Sequence, residues 1–277
     1  MKFAVSTLLS AAACLAGTTI SAQTLPDRIS EAGVVRIALE IPYVPMEYPD
    51  PETGELTGFD IELAAAMAEI LGVKVEYEVG AFEALTTNLQ SGRVDLIMSG
   101  FYDRPARREY FDFVHYLRAG GQFFALDSRE DLQAPADLCG LTVSTIRATS
   151  YPETIKAVSD ELCVSAGLDP ITVMEDTDAS QLLINLKTGR ADAAMQGLES
   201  IPTYMTNDPG VFRPLGEPVG SALMGMAFNK TDTELRDAFV HALTQVIEDG
   251  TYAELIDKYQ LDLSAYTDVT VGTEFEG

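Results

Sequence analysis

Two stretches of this chain are near copies of one another. Residues 89–100 read LQSGRVDLIMSG and residues 186–197 read LKTGRADAAMQG. Six of the twelve positions are identical, and Ser91/Thr188 and Val94/Ala191 are near matches. The copies start 97 residues apart. That spacing is too long for a solenoid, whose period is roughly 20–50 residues, and suits two similarly built lobes. Each copy reads as a helix end, a glycine turn and a short apolar strand. Gly92 and Gly189 can take the left-handed conformation that ends a helix. The apolar runs 94–98 and 191–195 suit strands covered on both faces, as in a parallel sheet. Ligands of open α/β sheets bind beyond the carboxyl ends of strands. The segments just after the copies, 100–107 and 197–200, are therefore expected to face each other across one cleft.

Composition narrows the function. A chain of 277 residues corresponds to about two domains. A formal charge of −25 argues against nucleic acid, whose phosphates need clustered Lys and Arg, and against an anionic membrane surface. It does not exclude a small anionic ligand, because one local Arg outweighs a screened distant field. Residues 1–22 read as a cleavable signal peptide: Lys2, an apolar stretch over 3–15, and Ile20-Ser21-Ala22 as the cleavage site. No later segment is long and apolar enough to span a membrane. Removing the leader leaves Cys139 and Cys163, an even pair that favours a disulfide in an exported chain. The two histidines, His115 and His241, are not at metal-ligand spacing, and no metal or cofactor is expected.

Along the chain the patterns alternate. A strand at 34–39, a loop over 42–58 with a hairpin at PETGEL, a helix over 61–71 capped by Asp60, a strand at 73–79, a helix over 82–91 and the first copy form a β–α–β–α–β unit. That order implies a parallel sheet with right-handed crossovers. A second unit runs from a strand at 141–146 through helices at 152–166 and 179–187 to the second copy. A strand at 224–229 then returns to the first unit, and Thr231 and Glu234 read as a capping box opening a helix to 249. Its apolar face is Leu235, Ala238, Phe239, Leu243, Val246 and Ile247. A last helix covers 252–259, and the tail from 263 to 277 is expected to be loose. The chain crosses between lobes twice, near 118–122 and 220–224, where Gly120, Gly121 and Gly220 suit a hinge.

Seven segments in this order, among them ALEIPYVPMEY, GELTGFDIELAAAMAEILG, RPARREYFDF and LCGLTVSTIRATS together with the two copies, resemble the periplasmic solute-binding proteins of polar amino acid ABC importers, the family-3 type. The resemblance covers about residues 33–261. It implies an α/β, two-lobed periplasmic-binding-protein fold (type II), each lobe a mostly parallel sheet flanked by helices, with two hinge crossings. Lobe 1 would comprise 23–118 and 224–262, and lobe 2 would comprise 119–223. It further implies a monomer in the periplasm that captures a small zwitterion and docks on an ABC permease in the inner membrane, with no enzymatic step.

By the same resemblance, Arg107 is the clamp for a ligand carboxylate, a group that a planar guanidinium grips with two parallel hydrogen bonds. Arg104 and Arg108 are expected to be surface or structural. Ala148, Thr149 and Ser150 form the turn that holds the other side of the carboxylate at a helix start. The family's usual glycine is replaced by Ala148. Glu40 and Tyr43 match an acidic-x-x-aromatic pattern after the first strand. Phe82 falls where a side chain packs on the ligand, a reading open against plain core packing. Gly100 and Tyr102 lie on the wall after the first copy. Aromatic faces here suit a cationic group, to which Glu40 would add an opposite charge.

One position departs from the family. An Asp usually follows the second strand tip and receives the ligand's α-ammonium group, and here that position is Gly197. Either Glu199, two residues on, replaces it, or the ligand has no primary α-amine. The ligand class therefore stays open between a polar amino acid and an N-substituted, cyclic, betaine-like or ectoine-like compound. Two rivals use the same cleft: a cyclohexadienyl or arogenate dehydratase-like enzyme, with Glu40 or Glu199 as acid or base, and a sensor module presenting ligand to a receptor.

Overall fold

The computed structural model describes residues 25–272; the expected leader lies outside them. A short helix α1 (Asp27–Ala32) precedes β1 (Val34–Leu39). The hairpin of β2 (Tyr48–Pro49) and β3 (Leu56–Thr57) leads to α2 (Phe59–Leu71), β4 (Lys74–Val79), α3 (Phe82–Gln90) and β5 (Leu96–Ile97). After a single turn, α4 (Pro105–Arg108), the chain runs along β6 (Phe111–Leu126). The second unit follows: β7 (Thr142–Ile146), α5 (Tyr151–Leu162), β8 (Thr172–Asp176), α6 (Ala179–Lys187), β9 (Ala193–Gly197), α7 (Ile201–Asn207) and β10 (Phe212–Pro214). The return is β11 (Val219–Asn229), then α8 (Thr233–Glu248) and α9 (Thr251–Lys258).

The strands form one sheet in the order β4-β1-β5-β11-β6-β9-β7-β8, with β10 on β6. This order has the same form from either end. Each repeat strand, β5 or β9, lies between a parallel strand of its own unit, β1 or β7, and an antiparallel long strand, β11 or β6. The identical residues of the repeat explain the symmetry. Gly92 and Gly189 have φ of 71° and 69°, so both turns are left-handed. Asp95 accepts the backbone N–H of Arg36 at 2.8 Å, and Asp192 accepts that of Thr142 at 3.0 Å. Their own N–H groups return to the carbonyls of the same two residues, each at 2.8 Å. The shared Asp thus ties the start of each repeat strand to its parallel neighbour and fixes the register. That register delivers both strand tips to one side of the sheet.

The two crossings near 118–122 and 220–224 run within strands β6 and β11. β6 and β11 pair antiparallel through the crossing, with register irregularities between Val219 and Ala222 and between Met224 and Gly225, the kind of bulge that locally bends and twists a pair. A Cβ on Gly120 would stand 2.9 Å from the Gly220 carbonyl oxygen, so the two strands approach here at a distance only glycine permits.

The apolar face of α8 is buried at Leu235, Ala238, Phe239, Leu243 and Val246, with Ile247 half-buried. Three local expectations are corrected. Asp60 is not a cap: α2 begins at Phe59, and the Asp60 carboxylate is turned inward to accept the Gly100 N–H and the Tyr116 hydroxyl. The Thr231–Glu234 box does not form: α8 is preceded by Asp232 with no side-chain cap. The tail is not loose over its described part. Ala265 and Val271 bridge to Leu117 and Val114 of β6, and the Tyr266 N–H donates to the Tyr252 hydroxyl. Apolar burial and backbone pairing hold it there, signals too short to register as an element. Cys139 and Cys163 form a disulfide with Cα atoms 5.4 Å apart, tying the approach to β7 to the end of α5.

Candidate functional site

A narrow cavity lies between the two halves of the sheet at the strand tips. Glu40, Tyr43, Phe82, Gly100, Tyr102, Arg107, Thr149 and Ser150 line it. Ala148, Gly197 and Glu199 do not. Gln196, a hydrogen-bonding candidate beside Gly197, also lines it, as do Pro42, Ile146 and Tyr151, which were missed. Ile146 ends a strand and Tyr151 opens a helix, and such positions read as core and helix cap until the partner lobe is in place.

On the first half, Glu40 follows the end of β1, and its backbone N–H donates to Ser99 Oγ at 3.0 Å. Phe82 opens α3 and packs on Phe101 with ring centroids 5.7 Å apart. Arg107 lies flat over Phe101, its guanidinium carbon 3.8 Å from the ring centroid, and 5.5 Å from that of Phe82. One of its nitrogens donates to the Tyr102 carbonyl at 2.8 Å. Burial, with Arg104 nearby, lowers its pKa to about 10, so it stays charged at neutral pH. No carboxylate pairs with it among the described residues, whereas Arg104 pairs with Glu153 and Arg108 with Asp103. A stacked, half-buried guanidinium without an anion is poised to accept one.

On the second half, Ala148 takes φ 61°, the left-handed conformation of the glycine it replaces, so the turn keeps its shape at a local cost. Thr149 donates its hydroxyl to the Ile146 carbonyl at 2.6 Å and accepts the Tyr151 N–H at 3.2 Å. Ser150 is buried at the head of the 12-residue α5, where unpaired backbone N–H groups favour an anion. Arg147 is engaged elsewhere, with Glu83 across the cleft at 2.6 Å.

The acid absent at 197 is present two residues on. Glu199 is buried, and its carboxylate folds back over Gly197, so that a Cβ on Gly197 would overlap it. Tyr43, lying across Gly100 in the same way, donates its hydroxyl to Glu199 Oε1. Glu199 Oε2 has no donor. Burial raises the Glu199 pKa to about 7, against the lowering effect of the Tyr43 bond. Burial likewise raises that of Glu40 to about 7, with Asp178 and Glu83 adding to it. Neither acid forms an ion pair among the described residues. The two halves also meet at Tyr102 and Tyr151, hydroxyl to hydroxyl at 3.0 Å, and at Arg104 and Glu153, 2.7 Å apart.

The family model for bacterial extracellular solute-binding proteins, family 3, matches residues 35–262. The chain belongs to this family. This family-3 protein is 28% identical over 238 residues to the arginine-binding protein ArgT of Corynebacterium glutamicum, covering 86% of this chain and 78% of that one. It is 26% identical to the histidine-binding periplasmic protein of Salmonella typhimurium, covering 84% of this chain and 89% of that one. Among solved structures, an ancestral arginine-binding protein bound to arginine superposes with a TM-score of 0.74 at 29% identity, covering 82% of this chain and 98% of that one. An ancestral amino-acid-binding protein described as a precursor of cyclohexadienyl dehydratase gives 0.75 at 27% identity, covering 84% and 98%. The family-3 protein thus shares its two-lobed α/β fold with proteins that bind amino acids. No helix among its described residues is long and apolar enough to cross a membrane.

Proposed function

We propose that this chain is the periplasmic solute-binding component of an ABC importer, and that it captures an amino acid carrying an extra cationic group by closing its two lobes. The observation that carries the reading is an unpaired guanidinium and an unpaired carboxylate in one aromatic-walled cavity, Arg107 and Glu40. Arg107 and the head of α5 receive the ligand carboxylate. Glu40 and the rings of Tyr43, Phe82 and Tyr102 receive a cationic side chain. Glu199 does not line the cavity but is held against it through Tyr43, which does, so one fixed cation stands with two nearby acids and the set suits a ligand of net charge +1. The names of the arginine- and histidine-binding relatives support the same class. A ligand touching both halves favours closure by its differential contacts, and a permease would then meet the closed surface.

The test is a thermal-shift and calorimetry panel: L-arginine, L-lysine and L-histidine against L-glutamine, glycine betaine and ectoine. Ligands that bind only the folded form raise its melting temperature. The reading expects the cationic amino acids to shift it most. A shift with betaine or ectoine and none with the cationic amino acids would overturn it. Likeness to a dehydratase precursor keeps a second arm in the panel: prephenate or arogenate turned into an aromatic product would make the chain an enzyme.

A further inference from the structure

Beneath the cavity, two carboxyl groups have no cation beside them. Glu47 is fully buried and Asp60 nearly so, and neither forms an ion pair among the described residues. The groups facing them are the phenols of Tyr77 and Tyr116, the hydroxyl of Ser99 and the carboxyls of Glu40 and Glu199. Two adjacent buried carboxylates would repel each other with no compensating charge. The four carboxyl oxygens show how this is avoided. Glu47 Oε1 accepts the Ser99 hydroxyl at 2.5 Å. Asp60 Oδ2 accepts the Gly100 N–H at 2.9 Å and the Tyr116 hydroxyl at 3.0 Å. The remaining two, Glu47 Oε2 and Asp60 Oδ1, are buried with no hydrogen-bond partner, and Asp60 stands close enough to Glu47 to raise its cost of ionisation. A single proton between them completes the set.

We propose that Glu47 and Asp60 share one proton and in that state act as positioning residues for the first-lobe wall of the cavity. The Glu40 N–H donates to Ser99, Ser99 donates to Glu47, and the Gly100 N–H donates to Asp60; the shared proton joins these two bonded segments into one chain. Its two ends, Glu40 and Gly100, both line the cavity. Ionising the pair places two like charges side by side, which loosens this wall. The shared proton stands on two buried carboxyl oxygens without a donor and on the absence of a cation beside them among the described residues, and its effect on binding rests on the ligand reading above.

Three readouts test it on the mature chain: the infrared carbonyl band of a protonated carboxyl, the NMR resonance of the Gly100 amide, and calorimetric affinity for L-arginine. In the native chain at neutral pH the band is expected, and the Gly100 resonance should move as alkaline titration removes it. Glu47→Gln can still donate to Asp60 and accept from Ser99. It should remove one carboxyl's share of the band while Glu40 and Glu199 keep theirs, leave the Gly100 resonance in place, and keep affinity within about threefold. Glu47→Ala should move the Gly100 resonance and weaken L-arginine by about tenfold or more. A band undiminished in Glu47→Gln, a Gly100 resonance unmoved in Glu47→Ala, or one that titrates in Glu47→Gln as fully as in the native chain, would overturn the proposal. If Glu47→Ala does not fold, the Glu47→Gln titration decides. If L-arginine binds no form, native chain included, the ligand reading fails while the band and the Gly100 resonance still settle the shared proton.

Discussion

Tyr43 and Glu199 are hydrogen-bonded across the cleft, and each lies over a glycine that ends one copy of the repeat, Tyr43 over Gly100 and Glu199 over Gly197. The absence of two side chains at the strand tips makes room for two others that reach in from elsewhere. The bond joins the two lobes and leaves one oxygen of a buried carboxylate open.

This arrangement makes Gly197 essential for a reason unrelated to backbone freedom. Gly197→Ala should expel the Glu199 carboxylate and weaken cationic amino acids about tenfold or more, on the scale of a lost charged hydrogen bond. The double variant Gly197→Asp with Glu199→Ala returns an acid to the same volume and should recover part of the loss. Calorimetry on the three proteins measures this; equal affinities would show that Glu199 has no part in binding.

Tyr43→Phe removes the hydrogen bond that, among the described residues, the Glu199 carboxyl accepts from another side chain. The closed form should lose about 1–3 kcal/mol, the cost of a buried polar group left unmade. The ligand-free protein should then populate open shapes, seen as a larger radius of gyration in solution scattering.

Arg107→Ala should cost a carboxylate-bearing ligand about 1–3 kcal/mol or more. Arg107→Lys should recover little, because an ammonium neither stacks flat on Phe101 nor grips a carboxylate with a fork. Unchanged calorimetric affinity in both variants would reject the clamp.

Glu40, Asp60 and Glu199 have pKa values raised to about 7, burial being the first cause in each. An acid whose folded pKa lies above its unfolded value adds stability that is complete below the unfolded value, about 4, and lost as pH rises through the folded one. The ligand-free melting temperature should therefore fall between about pH 5 and pH 8. A cationic ligand opposes the trend, since it favours ionised Glu40 and Glu199. Its binding near pH 7 should release protons, read from calorimetry in buffers of different ionisation enthalpy.

Ala148 holds a left-handed backbone conformation that costs a non-glycine residue about 1–2 kcal/mol. Ala148→Gly should relieve part of it, raising the urea midpoint with no loss of affinity. A lower midpoint would mean that the extra freedom of the unfolded chain outweighs the relief.

Much of the lobe architecture was legible in the sequence because its signals are local. A glycine after a helix, a buried apolar run and a repeated GRxD segment each act within a few residues, and their duplication announced two units meeting at strand tips. Arg107, Glu40 and Phe82 were pointed to by the resemblance to the family, and in the structure all three line the cavity. Asp60 was misread because a carboxylate next to a helix start looks the same in sequence whether it caps the helix or turns inward. The described part of the tail was misread because short strand bridges and a single tyrosine contact leave no periodic pattern.

The amino-acid order by itself thus decided where the chain turns, which faces are apolar and that one cationic side chain waits at a strand end. Only the tertiary structure decided that Glu199 occupies the volume beside Gly197, that Tyr43 reaches it from 156 positions away, and that Glu47 and Asp60 must share what neither can keep alone. The reason is physical. The behaviour of a carboxyl group depends on the water removed from around it and on the charges brought beside it, and both are set by parts of the chain that meet only when it is folded.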